Sequence, residues 1–345
     1  MEKAAHRREP GGIKIIAPAF HAAAGVVQSE REKGGDTVME NRPVAQDVET
    51  VVTSYNQGKM LLEAVRSLGG QTLLPKRVIV VDDGSTDAET LRLLADMEAE
   101  PPLPVPLVVV RQPNRGVSAA RNAGIGRTQS PMVLVLDGDD RLGPCYLEQV
   151  RRLLAEHDSM VAASSWIRTF GVLDAVVRPG GGRLPDFLAR NACPATHVFR
   201  REAWEKSGGY DESMRSGFED WDFFISMLEA VPGARIGIVQ EPLLEYRTAP
   251  ASANIKSMER RLDLIRFLVG KHRRSYQAHV EQAVLGFEAA SIARLAGWEG
   301  EMRQTMAQGR PLSAAAQNFV QNPTYGDGGM AAAVRIVSHG KNTSP

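Results

Sequence analysis

The sequence predicts an α/β fold, with a mostly parallel central sheet flanked by helices and a helical C-terminal extension. Three observations lead there. Short apolar runs alternate with segments of helical period between residues 48 and 136. The runs show almost no polar alternation, as expected of strands whose sheet is covered on both faces. Two of them stop abruptly in acidic residues, Asp82-Asp83-Gly84 and Asp137-Gly138-Asp139-Asp140. In open α/β sheets, ligands bind outside such carboxyl ends of strands.

Residues 1–45 are rich in Gly, Ala, Glu and Arg without a sustained period, and are expected to form a poorly ordered extension. Within it, residues 13–27 follow a basic stretch as a signal peptide would, but Lys14, Pro18 and His21 interrupt the apolar part. Val48 to Val52 is the first strand and Lys59 to Leu68 the first helix. Arg77 to Val81 is the second strand. Thr86, with Glu89 three residues on, reads as a capping box opening a helix through Glu98. Pro-rich residues 101–106 lead to a third strand, Leu107 to Arg111. A helix from Val117 to Ile125 precedes the fourth, Met132 to Leu136.

From 146 to 250 the pattern mixes. A helix (Tyr146 to His157), strands around Val161 to Thr169 and Arg235 to Val239, and a Gly/Pro-rich loop at 179–185 are expected. Residues 257–309 read as two or three amphipathic helices, and the remainder as loosely ordered. The division is therefore an extension (1–45), a main domain (46–250), a helical region (251–309) and a tail (310–345).

Composition narrows the function. Lys plus Arg equals Asp plus Glu at 41 each, which removes the basic excess that nucleic acid or an anionic membrane would call for. No apolar run approaches the roughly 18 residues of a membrane-spanning helix. Cys145 and Cys193 lie far apart in no metal-ligand spacing, so a reduced, cytoplasmic compartment is expected, with peripheral contact to a membrane left open.

The acidic strand ends carry the chemistry. Three carboxylates within the four residues 137–140 repel one another, and a divalent cation with oxygen ligands relieves that and can bridge phosphates. An isolated Asp-X-Asp would more often merely end a strand and cap a helix. A calcium loop counted from Asp137 fails, because its sixth position is Leu142 where glycine is required. The first strand runs into Thr53-Ser54-Tyr55-Asn56-Gln57-Gly58, which is no dinucleotide fingerprint, and no phosphate-binding G-x-x-x-x-G-K-[ST] loop occurs. Phosphates would be held by metal and side chains.

Four blocks then carry a family: VETVVTSYNQGKMLLEAVRSLGGQT, RVIVVDDGSTD, NRGVSAARNAGIGRTQSPMVLVLDGDD and GGYDESMRSGFEDWDFF. Together, in this order, they resemble glycosyltransferase family 2 with a GT-A fold. The resemblance covers about residues 48–228. It implies an inverting, metal-dependent transfer of a sugar from a nucleotide-diphosphate donor, commonly a UDP-sugar, to a hydroxyl acceptor it does not identify. It places Thr53 and Tyr55 at the nucleotide base, with Tyr55 stacking, and Asp83 hydrogen-bonding the base. Arg121 falls near the nucleotide. Asp137, Asp139 and Asp140 match the DxD motif that meets ribose and metal, Mn²⁺ or Mg²⁺, with Asp139 and Asp140 as metal residues. Glu219-Asp220 matches the ED motif, and Asp220 resembles the catalytic base. Read alone, Glu219, Asp220 and Asp222 could equally favour a helix N-terminus, and Trp221 a core position. Beside the base, Trp221 becomes a candidate sugar- or acceptor-stacking residue.

One departure stands out. Relatives often carry a histidine shortly after a Tyr-Arg pair, whereas Tyr246-Arg247 is followed by Thr248, Ala249 and Pro250, leaving Arg247 as the candidate diphosphate contact. Three competing readings are weaker. A sugar-nucleotidyltransferase would need a Gly-rich triphosphate loop after the first strand. A polyprenyl-phosphate sugar transferase would usually show a membrane anchor. A catalytically silent nucleotide-sugar-binding protein is disfavoured because DGDD and FEDWD both keep their acids.

Overall fold

The computed structural model describes residues 42–250 and 253–342, so nearly all of the expected N-terminal extension lies outside the described residues. The described chain opens with β1 (Val44–Ala45) and β2 (Val48–Ser54), then α1 (Lys59–Gly69), β3 (Leu74–Pro75), β4 (Val78–Asp82) and α2 (Ala88–Ala99). β5 (Leu107–Arg111), α3 (Val117–Ile125), β6 (Met132–Asp137), β7 (Arg141–Leu142) and α4 (Tyr146–Ala155) follow. Next come β8 (Met160–Gly171), β9 (Val176–Val177), α5 (Leu184–Phe187), β10 (His197–Arg200), α6 (Arg201–Ser207), α7 (Glu219–Ala230) and β11 (Arg235–Thr248). The C-terminal helices are α8 (Ala253–Glu259), α9 (Arg261–Lys271), α10 (Arg273–Ala278), α11 (Val280–Ala307), α12 (Ala314–Gln321) and α13 (Gly329–Asn342).

The central nine-stranded sheet runs β5-β4-β2-β6-β10-β8-β11-β7, with β9 beside β8. Its first half is parallel, as the alternation of strands and helices predicts. Its second half is mixed: β10 is antiparallel to both β6 and β8, β11 is parallel to β8, and β7 is antiparallel to β11. Consecutive strand residues point to opposite faces, so each face feeds its own core. Val52, Val80, Leu134 and Leu136 pack with Leu61, Leu68, Leu94 and Leu147. Their neighbours Val51, Ile79, Val81, Val133 and Val135 pack with Ile125, Phe187, Phe223 and Phe224. That double burial is why the strands read as unbroken apolar runs. On the second face α3 comes unusually close, since a Cβ at Gly124 would collide with Val51 and lie 2.9 Å from Val81 Cγ2.

Several boundaries differ from expectation. α2 is capped by Asp87, not Thr86: the Asp87 carboxylate accepts Thr90 N–H at 2.8 Å and Thr90 Oγ1–H at 2.7 Å. Asn56 Oδ1 meanwhile takes the N–H groups of Thr86 and Asp87, at 2.8 and 3.0 Å. β11 runs fourteen residues instead of ending at Val239, with register irregularities against β8 on either side of Pro242. The tail expected to be loosely ordered contains two helices. Ser313 caps α12 by accepting Ala316 N–H, and α13 buries Ala332, Ala333 and Ile336. Arg335 of α13 makes a two-pronged bond to Glu299 of α11 at 3.0 and 2.8 Å. Among the described residues no helix is long and apolar enough to cross a membrane.

Candidate active site

The register of the parallel half gathers the site. Thr53 sits opposite Asp137, and Ser54 opposite Asp82, so the carboxyl ends of β2, β4 and β6 form one rim. Thr53 Oγ1 lies 3.4 Å from Asp137 Oδ1, a loose contact within the rim. Tyr55 follows at 48% exposure, its ring available to a ligand. The turn after β6 depends on Gly138, where a Cβ would collide with Gln57 and stand 2.6 Å from the Thr53 carbonyl oxygen. Only glycine allows the acidic turn to lie that close to β2.

Asp83 is buried and organises the loop that leads into α3. Its Oδ1 accepts Gln112 Nε2–H at 2.8 Å and Arg115 N–H at 2.9 Å, and its Oδ2 accepts Gly116 N–H at 2.8 Å. A carboxylate has about four acceptor sites, so roughly one remains for a ligand.

The acidic turn is divided in its partners. Asp140 is buried, and its Oδ1 accepts the Arg247 N–H at 2.9 Å. Burial, then the charges of Asp139 and Asp137, push its carboxyl well above the usual range. Asp139 is pushed up to about 6, by burial first and by Asp137 second. Among the described residues, only its own backbone donates to it. Of the two candidate metal residues, Asp140 has one oxygen on the Arg247 N–H, while no other residue's hydrogen bond to the Asp139 carboxylate is seen among the described residues. Among the described residues no three His, Cys, Asp or Glu side chains converge as a metal-ligand set. A cation here would therefore take one or two carboxylate oxygens and complete its shell with phosphate oxygens and water, a common mode for Mg²⁺. The residues fit that mode, because a positive charge beside Asp139 would relieve the repulsion that raises it.

Arg121 joins the two acidic motifs. It is 1% exposed, and its Nη2 donates to Asp137 Oδ1 at 2.7 Å while Nη1 donates to Glu219 Oε1 at 3.0 Å. Its guanidinium lies 5.2 Å from the Tyr210 ring centroid. Burial opposes its charge, but Asp137 and Glu219 hold it firmly protonated. The expected contact with the nucleotide is corrected: Arg121 has no exposed face, and it acts from beneath by fixing the β6 end against the head of α7.

α7 begins under strain. Gly217 (φ 103) precedes Phe218, a non-glycine residue at φ 64 that serves as N-cap without a capping side chain. This turn delivers Glu219 and Asp220 to the rim. Asp220 Oδ1 accepts the Trp221 N–H and Oδ2 accepts Asn191 Nδ2–H, both at 2.8 Å. Burial, then Glu219, push the Asp220 carboxyl up to about 7, with Arg121 opposing. Such a group is a proton acceptor poised near neutrality.

Two further candidates are engaged within the fold. Trp221 does not face a ligand: it is 1% exposed, with its indole N–H on the Phe187 carbonyl at 2.5 Å, because filling the core beneath α7 outweighs presenting a ring. Arg247 is committed elsewhere: Nε donates to the Asp139 carbonyl at 2.9 Å, Nη2 to Glu63 at 2.7 Å, and the guanidinium stacks 4.5 Å from the Phe170 ring centroid. It braces the acidic turn through Nε and Nη2.

Sequence reasoning missed Asn191, which lies in a loop outside every motif, and the partners of Asp222. That residue is wholly buried, bonded by Lys271 Nζ at 2.8 Å and His272 Nε2 at 3.0 Å from the C-terminal helices. An acid two positions after Asp220 followed by an apolar run was the available signal, and the partner lies fifty residues on.

Comparisons with known proteins bear on the fold and the family. Residues 50–207 match the description "Glycosyl transferase family 2". The chain is 25% identical over 186 residues to the uncharacterized glycosyltransferase YwdF of Bacillus subtilis, covering 52% of this chain and 66% of that protein. It is 36% identical over 113 residues to the succinoglycan biosynthesis protein ExoO of Rhizobium meliloti, covering 33% and 30%. It thus spans less than two thirds of the length of these curated relatives. S. aureus TarS 1–349 shares the fold, alone and in complex with UDP-GlcNAc, each at TM-score 0.54 and 17% identity over 86% of this chain and 90% of that one. Residues 50–207 thus match glycosyl transferase family 2, on the fold that the TarS structures share.

Proposed function

We propose that this protein is an inverting glycosyltransferase that moves a sugar from a nucleotide-diphosphate donor, a UDP-sugar, onto a hydroxyl acceptor. The observation that carries the reading is the buried Arg121 bridge, which locks an acidic turn suited to a metal-diphosphate against an acid suited to proton abstraction. A fold supports many chemistries, and that pairing narrows them. The UDP-GlcNAc complex of the TarS neighbour supports a uridine donor.

The division of labour follows from the side chains. Tyr55 offers its exposed ring to the base, and Asp83 offers its remaining acceptor site to a base N–H. Asp137, held by Arg121 and Thr53, faces the ribose side of the rim. Mn²⁺ or Mg²⁺, held by Asp139 with Asp140 behind it, would supply Lewis-acid neutralisation of the leaving diphosphate. Asp220 takes the proton from the acceptor hydroxyl as its oxygen attacks the anomeric carbon, help typically worth ~10²–10⁴-fold. The bond from the anomeric carbon to the diphosphate breaks on the opposite face, which inverts configuration.

A screen of nucleotide sugars by thermal shift, with Mn²⁺ or with EDTA, tests the donor half. The expected result is stabilisation by uridine diphosphates that EDTA largely removes. Equal stabilisation in EDTA would overturn the metal assignment, and selective stabilisation by another base would overturn the uridine donor.

A further inference from the structure

Asn191 lies in the loop between α5 and β10 and carries no motif, yet it makes the only hydrogen bond to Asp220 that comes from outside α7 among the described residues. Its Nδ2 donates to Asp220 Oδ2 at 2.8 Å, and its Oδ1 accepts the Cys193 N–H at 3.3 Å. The second bond decides the orientation of the amide. Reversed, it would set a carbonyl oxygen against the carboxylate and an NH₂ against an N–H.

The loop that presents Asn191 is firmly seated. Phe187, Leu188, Ala192 and Cys193 are buried, Trp221 donates to the Phe187 carbonyl, and Tyr276 Oη–H donates to the Leu188 carbonyl at 2.8 Å. Asn191 itself is exposed, so packing does not explain an amide at this position. With Trp221 N–H on one oxygen and Asn191 on the other, the carboxylate is held at both ends. Two of its roughly four acceptor sites stay open.

We propose that Asn191 is the positioning residue for Asp220, holding its carboxylate in one rotamer and favouring the ionised form that accepts the proton. The inference rests on Asp220 being the base. A hydrogen bond donated to a carboxylate stabilises its charge. Without Asn191, burial, Glu219 and Asp137 are opposed by Arg121 and the Trp221 N–H alone among these groups, so Asp220 ionises at higher pH.

Release of UDP from UDP-GlcNAc with Mn²⁺ tests this without an acceptor. Water oxygen attacks the anomeric carbon, its proton passes to Asp220, and the bond to the diphosphate breaks with its electron pair leaving on UDP. In Asn191→Ala and Asn191→Asp, kcat near neutrality should fall about tenfold, while KM for UDP-GlcNAc stays within a few-fold and Tm holds. The rising limb of the kcat profile should move to higher pH, by about one unit in Asn191→Ala and further in Asn191→Asp, whose added charge repels Asp220. Activity of Asn191→Ala should recover on the alkaline side. An unmoved limb, or a change in KM alone, overturns the proposal. If Asp220→Asn lacks turnover while both Asn191 variants keep the wild-type profile, only the positioning role falls. If Asp220→Asn turns over normally, the base assignment falls and the positioning role with it.

Discussion

Replacing Lys271 by Met asks whether the C-terminal helices belong to the packed structure around α7. Lys271 Nζ bonds Asp222 Oδ2 at 2.8 Å and Asp211 Oδ2 at 2.7 Å, while His272 holds the other Asp222 oxygen at 3.0 Å. Methionine keeps most of the volume and removes the charge. Breaking a buried ion pair by deleting one partner costs ~3–5 kcal/mol. Lys271 is 33% exposed and His272 remains on Asp222, so about 2 kcal/mol is the working figure. At ~2–4 °C per kcal/mol, Tm should fall by about 4–8 °C. Adding Asp222→Asn removes the stranded charge and should restore part of that loss. Thermal unfolding of the wild type and both variants is the assay. A Lys271→Met protein within about one degree of wild type would refute the reasoning.

The same cluster carries a pH dependence. Burial alone would lower the pKa of His272, but its bonds to Asp222 and Glu229 raise it above the ordinary 6.5. Its stabilisation is therefore complete below about 6.5 and is lost as pH rises through the raised value, and His272→Gln should flatten that part of the Tm–pH curve. Asp139→Asn should weaken UDP affinity in Mn²⁺ while leaving the weaker affinity in EDTA nearly unchanged, as read by calorimetry. Gly138→Ala should abolish Mn²⁺-dependent UDP binding, because the Thr53 carbonyl that a Cβ would meet at 2.6 Å is backbone and cannot swing away. Asp83→Ala strands the N–H groups of Arg115 and Gly116, at about 0.5–1.5 kcal/mol for each lost bond, and should show as weaker UDP binding with a less ordered 112–116 loop in hydrogen exchange.

The parallel half of the fold was legible because β2, β4 and β6 bury both faces and two of them, β4 and β6, end in acids, a pattern that local sequence carries intact. β10 was not: four residues, His197–Arg200, are too few for any period to emerge. β11 was truncated in the reading because Gln240, Glu241 and Pro242 interrupt the apolar text, while the strand crosses them with register irregularities against β8. α12 and α13 hid behind neighbouring Gly and Pro, although their Ala-rich centres favour helix. In the site, the acids were readable from motif and spacing, but their partners were not. Position alone assigns Arg121, Trp221 and Arg247 each to a ligand, whereas tertiary contacts engage all three. The Trp221 indole N–H finds Phe187, 34 residues away, and the Arg247 guanidinium finds Glu63, 184 residues away. Such pairings leave no local trace.

The proposed role of Asp220 is that of a base acting on a donor held at the acidic turn. It is tested most directly by UDP release from UDP-GlcNAc in Mn²⁺, comparing wild type with Asp220→Asn and Asp222→Asn, with donor affinity measured alongside. Asp220→Asn should lose ~10²-fold or more in turnover with donor affinity within a few-fold of wild type. Asp222→Asn, which faces Lys271 and His272 instead of the rim, should lose stability and keep most of its turnover per folded molecule. Undiminished turnover in Asp220→Asn would rule out that role.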